Sequence, residues 1–261
     1  MKYLTNKDLL REIHLSKNTY CAYANKADST YDLILPSVER INRLTISQAR
    51  KARATRMEAE AKAAGAPIEV DPKDIPVTDI VFRIMTWDHI PLSPGRKKTP
   101  KITSDHHVKV NFPPFQHYRL TEDKTPFCVG KSHWRGDVET GHYCRDKGKM
   151  TDNLARMFLK LCERYSSRSN WRGYTYVDEM RGQALLQLSM IGLQFDESKS
   201  SNPFAYYTAA ITNSFTRILN TEKRNQNIRD DILEMNNLNP SYTRQLNNEE
   251  AMRKARDHGD E

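Results

Sequence analysis

The chain has 261 residues, a formal net charge of +8 and a pI near 9.2, with 38% apolar and 28% charged residues. That length allows one large domain or two ordinary ones, and that composition a modest core plus a polar arm or linker. No run approaches the ~18 apolar residues of a membrane span, the start MKYLTNKDLL lacks the apolar stretch of a secretory signal, and Cys21, Cys128, Cys144 and Cys162 form no framework. These features point to a reducing cytosol and no membrane, and the charge favours a polyanionic partner.

Residues 1–35 open on YLTNKDLLREI, a short amphipathic helix with Leu4, Leu9 and Ile13 on one face. Residues 36–65 read as one long basic helix, started by Pro36 and stopped by Gly65 and Pro67. Its seven cations (Arg40, Arg43, Arg50, Lys51, Arg53, Arg56, Lys62) outnumber its three acids (Glu39, Glu58, Glu60). Apolar residues thin out after Ile46, so the second half is expected to be a solvated rod, with a plain exposed helix and a DNA-facing one both open. Residues 66–150 form an inserted segment of short strands and basic loops. It begins with the proline-broken linker GAPIEVDPKDIP; VTDIVFRIMTW (77–87) and HHVKVNF (106–112) have strand character, PLSPGRKKTPK (91–101) is a basic loop, and the stretch to Met150 is irregular.

From Thr151 the pattern becomes helical. Leu154, Met157, Phe158 and Leu161 share a face in TDNLARMFLKLCERY, and Met180, Ala184, Leu188 and Ile191 share one in the next helix. A polar loop, FDESKSS, then leads into NPFAYYTAAITNSFTRI, which continues as helix to about Asn227. Residues 236–261 form a polar tail expected to fray.

Two constellations carry chemistry. Cys128, His133, His142 and Cys144 offer two sulfurs and two imidazoles, enough for tetrahedral zinc, but their spacing departs from the paired hairpins of zinc fingers. His106, His107 and His117 lie near them. A structural loop, a zinc site and a His-metal nuclease remain open here. No phosphate-binding glycine loop, nucleophile elbow or paired acids in an apolar setting occurs, so nothing argues for catalysis, and no cofactor or catalytic residue is expected.

The second is the helix after FDESKSS. Asn202 is a good N-cap and Pro203 a natural first residue. At 100° per residue, Phe204, Thr208, Ile211, Phe215 and Ile218 fall on one stripe, expected to be core; Tyr207 sits at the boundary and is assigned to packing. Opposite lie Tyr206, Ala209, Ala210, Asn213, Arg217, Asn220 and Arg224. That outward face is acid-free until Glu222, so arginine and asparagine on it can approach phosphates or base edges and a tyrosine can stack an unpaired base.

These residues resemble region 2 of bacterial sigma factors. In that family an acid-led amphipathic helix ends in an aromatic and an acidic residue; a short basic loop and the helix that opens the −10 promoter element follow. Here Phe195-Asp196 stand at the loop entry, Lys199 lies within it, Tyr206 falls at the stacking tyrosine, and Thr208, Ile211, Thr216 and Arg217 agree in register. The late-gene sigma factors of T-even-type bacteriophages are more similar still. They share Glu179-Met180, Phe195–Glu197, the NP-AY pattern around Asn202–Tyr206, Phe215 with Arg217, and the starting pattern of Tyr3, Asn6-Lys7 and Leu9-Leu10. The resemblance covers about 154–230 and, weakly, 1–15.

What it implies is a mainly α fold with a region-2-like domain over 151–235, and a non-enzymatic factor in the infected bacterial host's cytoplasm that binds host core RNA polymerase and directs it to late promoters. Asp178, Glu179 and Gln183 would dock on the coiled coil of the largest polymerase subunit. Phe195, Asp196, Lys199 and Tyr206 would surround the flipped first base of an AT-rich −10 element, and Asn213, Arg217 and Arg224 would contact DNA upstream. The sequence also departs from the pattern. Ala209-Ala210 replace the paired tryptophans of housekeeping factors, which implies weaker melting and a greater need for a co-activator. No helix-turn-helix pattern follows, and MRKARDHGDE is too hydrophilic to bind a sliding clamp as the phage relatives' tails do. The alternatives are a phage DNA-binding or polymerase-modifying protein without promoter opening, and a His/Cys metal-dependent nuclease.

Overall fold

The computed structural model describes residues 4–91 and 110–257. Along these run α1 (Asn6–Asn18), β1 (Cys21–Tyr23), β2 (Leu33–Leu35), α2 (Arg43–Ala63), β3 (Phe82–Met85), β4 (Phe115–Leu120), β5 (Pro126–Ser132), β6 (Trp134–Arg135), β7 (His142–Tyr143), α3 (Asp152–Ser166), α4 (Val177–Ile191), α5 (Pro203–Met235) and α6 (Tyr242–Asp257). The fold is mixed α/β: helix predominates, as the mainly α expectation had it, and a sheet organises the core of the first unit. The chain forms two compact units: Met1–Leu161 with Leu188–Tyr207, and Cys162–Gln187 with Thr208–Glu261.

The first unit is built on a five-stranded sheet ordered β1-β5-β4-β3-β2, antiparallel except where β2 runs parallel to β3. Strands from the first 35 residues thus occupy both edges of a sheet whose centre comes from 82–132. The stretch expected to be irregular supplies β4 and β5, its longest strands. Of the strand expected over 106–112, residues 106–109 lie outside the described residues, and 110–112 are not strand. Pairing begins at Phe115, after Pro113 and Pro114, which lack the N–H a ladder needs.

One sheet face packs on α2. Phe82, Ile84 and Leu120 form a buried cluster with Ala49 and Ala54 of α2 and with Leu35, Ile75 and Ile80. The alanines matter because they let the helix approach closely. The second half of α2 is a solvated rod only in part: Arg53 and Arg56 reach Asp32, whose side chain is fully buried, at 3.3 and 2.7 Å, while no residue from Met57 to Ala63 is buried. The helix also starts at Arg43, not Pro36. The Asn42 side chain accepts from the backbone N–H groups of Leu44 and Thr45, and the Asn42 N–H donates to Thr45 Oγ1, a capping box. Gly65, at φ 84°, ends it in the left-handed region, as its position predicted.

The second unit is helical. Phe215 of α5 is fully buried and meets Tyr165 and Trp171 edge-on, at 5.0 and 5.2 Å between ring centroids. Met180, Ala184 and Ile211 are buried too, as their spacing predicted. Beyond Asn227, where it was expected to end, α5 continues to Met235. It closes in a Schellman turn: Leu238 N–H donates to Leu233 O, and Asn237, at φ 57°, donates to Glu234 O. The expected polar tail is largely helix α6. Asp230 takes hydrogen bonds from the Ser241 amide and hydroxyl at 2.8 and 2.7 Å, and Arg244 pairs with Asp231 and Glu234. These contacts of α5 with Ser241 and α6 are polar and 10–13 residues apart, so hydrophobic periodicity could not reveal them.

Candidate nucleic-acid interface

The loop expected to hold a flipped base belongs to the first unit, and its local structure follows from short polar side chains. Asp196 Oδ1 accepts from the Ser198 amide and hydroxyl, folding 196–200 into a turn. Asn202 Oδ1 caps α5 through the Ala205 amide at 3.1 Å, and Asn6 of α1 caps it again through the Phe204 amide. Lys199, three-quarters exposed, pairs with Asp196 at 3.3 Å.

The loop is also anchored from beneath by charges whose pairing leaves no local pattern in the chain. Lys17, at the end of α1 and 1% exposed, donates to Phe195 O at 2.6 Å and to both Glu197 carboxylate oxygens at 2.9 Å. Arg83, alone among apolar neighbours in β3, is fully buried between the rings of Tyr31 and Phe115, 3.9 and 3.8 Å from their centres, and 3.9 Å from Glu197. Its Nε donates to His117 Nε2, and His117 Nδ1 donates to Asp28 O, which fixes a neutral imidazole. Burial, reinforced by Arg83, holds the His117 pKa well below the ordinary histidine value. Burial also opposes the Glu197 charge, yet Lys17, Arg83 and His14 outweigh it and bring its pKa to about 2. His14 is lowered to about 4 by burial and Arg83.

This buried network decides where the aromatic residues go. Phe195, expected beside a flipped base, is only 2% exposed, its carbonyl held by Lys17. Its ring meets Tyr206 edge-on at 5.6 Å. Tyr206 is half-buried, and burial raises its phenol pKa; no hydrogen bond to its hydroxyl occurs among the described residues. Tyr207 is fully buried, with Phe158 at 4.8 Å and its hydroxyl donating to Gly192 O at 2.5 Å. Gly192 is required there, since a Cβ would lie 2.6 Å from both Leu188 O and the Phe158 ring. Phe204, expected in the core stripe, is 39% exposed. The stripe that is buried runs Tyr207, Ile211, Phe215 at four-residue spacing, and Phe204 precedes it by three residues.

In the second unit, Asn213, Arg217, Asn220 and Arg224 are all exposed, and neither arginine has an ion-pair partner among the described residues. From Pro203 to Thr221 the helix has no acid. Ala209 is exposed and Ala210 half-buried. On α4, Asp178 and Glu179 are exposed, Asp178 pairing with Arg181 at 3.0 Å, while Gln183 is half-buried. No group of three or more His, Cys, Asp or Glu side chains suited to a metal occurs among the described residues. His133 is buried and accepts from the Asn111 amide, while Cys128 Sγ faces Gly130 O. His106 and His107 lie outside the described residues. Comparison with protein-family models, curated proteins and solved structures returns no match.

Proposed function

We propose that this chain is a transcription initiation factor of the sigma region 2 type, which binds bacterial core RNA polymerase and engages an AT-rich −10-like element through α5. The observation that carries the reading is the acid-free exposed face of α5. A half-buried tyrosine stands at its first turn, and exposed Asn213, Arg217 and Arg224 follow at helical spacing. Tyr206 would stack the unpaired base, worth ~1–3 kcal/mol, with Asp196 and Lys199 at its rim. Phe195 serves behind the tyrosine rather than against DNA, because it is already buried on that ring. Asp178, Glu179 and Gln183 would supply the polymerase contact, two carboxylates on a helix start where basic groups of a partner can pair with them.

The second reading, DNA binding without promoter opening, draws on Ala209 and Ala210. After Tyr206, the acid-free face offers no further aromatic residue to hold separated strands, so melting would depend on a co-activator. Capture of core polymerase on immobilised protein tests the main reading. Glu179→Lys is expected to weaken capture at least tenfold with unchanged circular dichroism; full retention rules out this interface.

A further inference from the structure

We infer that the first unit carries a second nucleic-acid contact, a groove that takes the phosphodiester backbone irrespective of base sequence. The groove, about 510 Å³, lies between the first two turns of α2, the Pro72–Asp74 turn and the tip of the β4–β5 hairpin. Arg43, Arg50, Lys51, Lys73 and Lys124 line it, against one carboxylate, Asp71. None of the five cations has an ion-pair partner among the described residues, whereas Arg53 and Arg56 of the same helix are consumed by Asp32. Residues 43–57 contain no acid at all. Ile46 and Val77 line the same groove, an apolar surface against which sugars can pack.

Two independent features show donors held ready for an anion. The Arg50 Nε is buried and has no hydrogen-bond partner among the described residues, so that guanidinium, which lines the groove, is not committed to a protein acceptor through it. Lys124 stands at φ 62° in the three-residue hairpin turn closed by Lys124 N–H to Thr121 O and Thr121 N–H to Thr125 O. That position ordinarily takes glycine, because a side chain there is strained. A lysine in it places a cation on the groove at a cost to the turn. Glu122 and Asp123 share the turn but do not line the groove.

The groove is tested by fluorescence anisotropy of the full chain with a G·C-rich 20-base-pair DNA duplex lacking any −10-like element, titrated across potassium chloride concentrations. Single-stranded DNA and double-stranded RNA serve as further probes, and polyglutamate as a non-phosphate polyanion. Lys51→Gln/Lys73→Gln/Lys124→Gly is expected to bind the duplex at least tenfold more weakly near 0.1 M salt. The slope of log affinity against log salt should become less negative by about 2–3, one unit per lost phosphate contact. Lys124→Gly alone is expected to raise the thermal midpoint while weakening binding, and Lys124→Arg to retain it, which separates binding from folding. Capture of core polymerase by the triple variant should equal that of wild type, so failure here is distinct from failure of the promoter reading. Unchanged affinity and slope in the triple variant overturn the proposal. So does a loss confined to polyglutamate, which would assign the groove to an acidic protein. Losses on all nucleic acids, or on one helical form, support it and identify the form.

Discussion

Replacing Glu197 with glutamine removes one negative charge from a site that holds two positive ones out of water. Lys17 is 1% and Arg83 0% exposed, so neither can turn to solvent without breaking the strand and helix that carry them. Breaking a buried pair by removing one partner costs roughly 3–5 kcal/mol, because the remaining charge is uncompensated. The carboxyl gives a second route to the magnitude. Its pKa is about 2 in the fold against an ordinary 4.5, which corresponds to about 3 kcal/mol of preference for the charged form. The two agree, and against a typical domain stability of about 5–15 kcal/mol the loss is large. The sign follows from the lowered pKa: the contribution is complete above pH 4.5 and fades as pH falls through 2. Urea unfolding of wild type and Glu197→Gln at pH 7 and pH 4.5 should therefore show a similar gap of about 3 kcal/mol, narrowing toward pH 2. Because Glu197 shares its bond network with Phe195 O, hydrogen exchange at 195–200 should also rise in the variant. A difference below about 1 kcal/mol at pH 7 would refute the reasoning.

His14 and His89, each lowered to about 4, and His117, held well below the ordinary histidine value, are neutral in the fold, in every case first through burial. The unfolded chain binds their protons near pH 6.5, so stability should fall steadily from pH 7 to 5, with up to three protons taken up on unfolding, measured as the pH dependence of the thermal midpoint. Phe215→Ala empties a fully buried site between Tyr165 and Trp171 and should cost about 3–5 kcal/mol by denaturant unfolding; a cost under 1 kcal/mol would contradict that packing.

The sequence makes some of this structure legible and hides the rest for identifiable reasons. The cores of α3, α4 and α5 announce themselves because Leu154, Phe158, Met180, Ala184, Ile211 and Phe215 repeat at helical spacing and are all buried. The wheel put Phe204 in the core stripe and Tyr207 at its boundary, whereas Tyr207 is the fully buried one and Phe204 is 39% exposed. Their exchange turns on the Gly192 carbonyl and the Phe158 ring, which satisfy a buried tyrosine. Charge pairing was still less visible: Lys17 and Glu197 are separated by 180 positions. The one clue is Arg83, a lone cation in the strand VFRIM, which requires a buried partner if that strand is central. The edge strands β1 and β2 are three residues each, too short for alternation to register.

Run-off transcription with bacterial core RNA polymerase on a linear template bearing a TATA-like −10 element tests the central claim most directly. Wild-type protein should give one specific transcript, weaker when Tyr206→Ala replaces it and retained by Tyr206→Phe, whose ring still stacks. Loss of specificity in Arg217→Ala should follow the same template. If polymerase with wild-type protein gives only the transcripts of polymerase alone, or if Tyr206→Ala matches wild type, the proposed role of α5 is wrong.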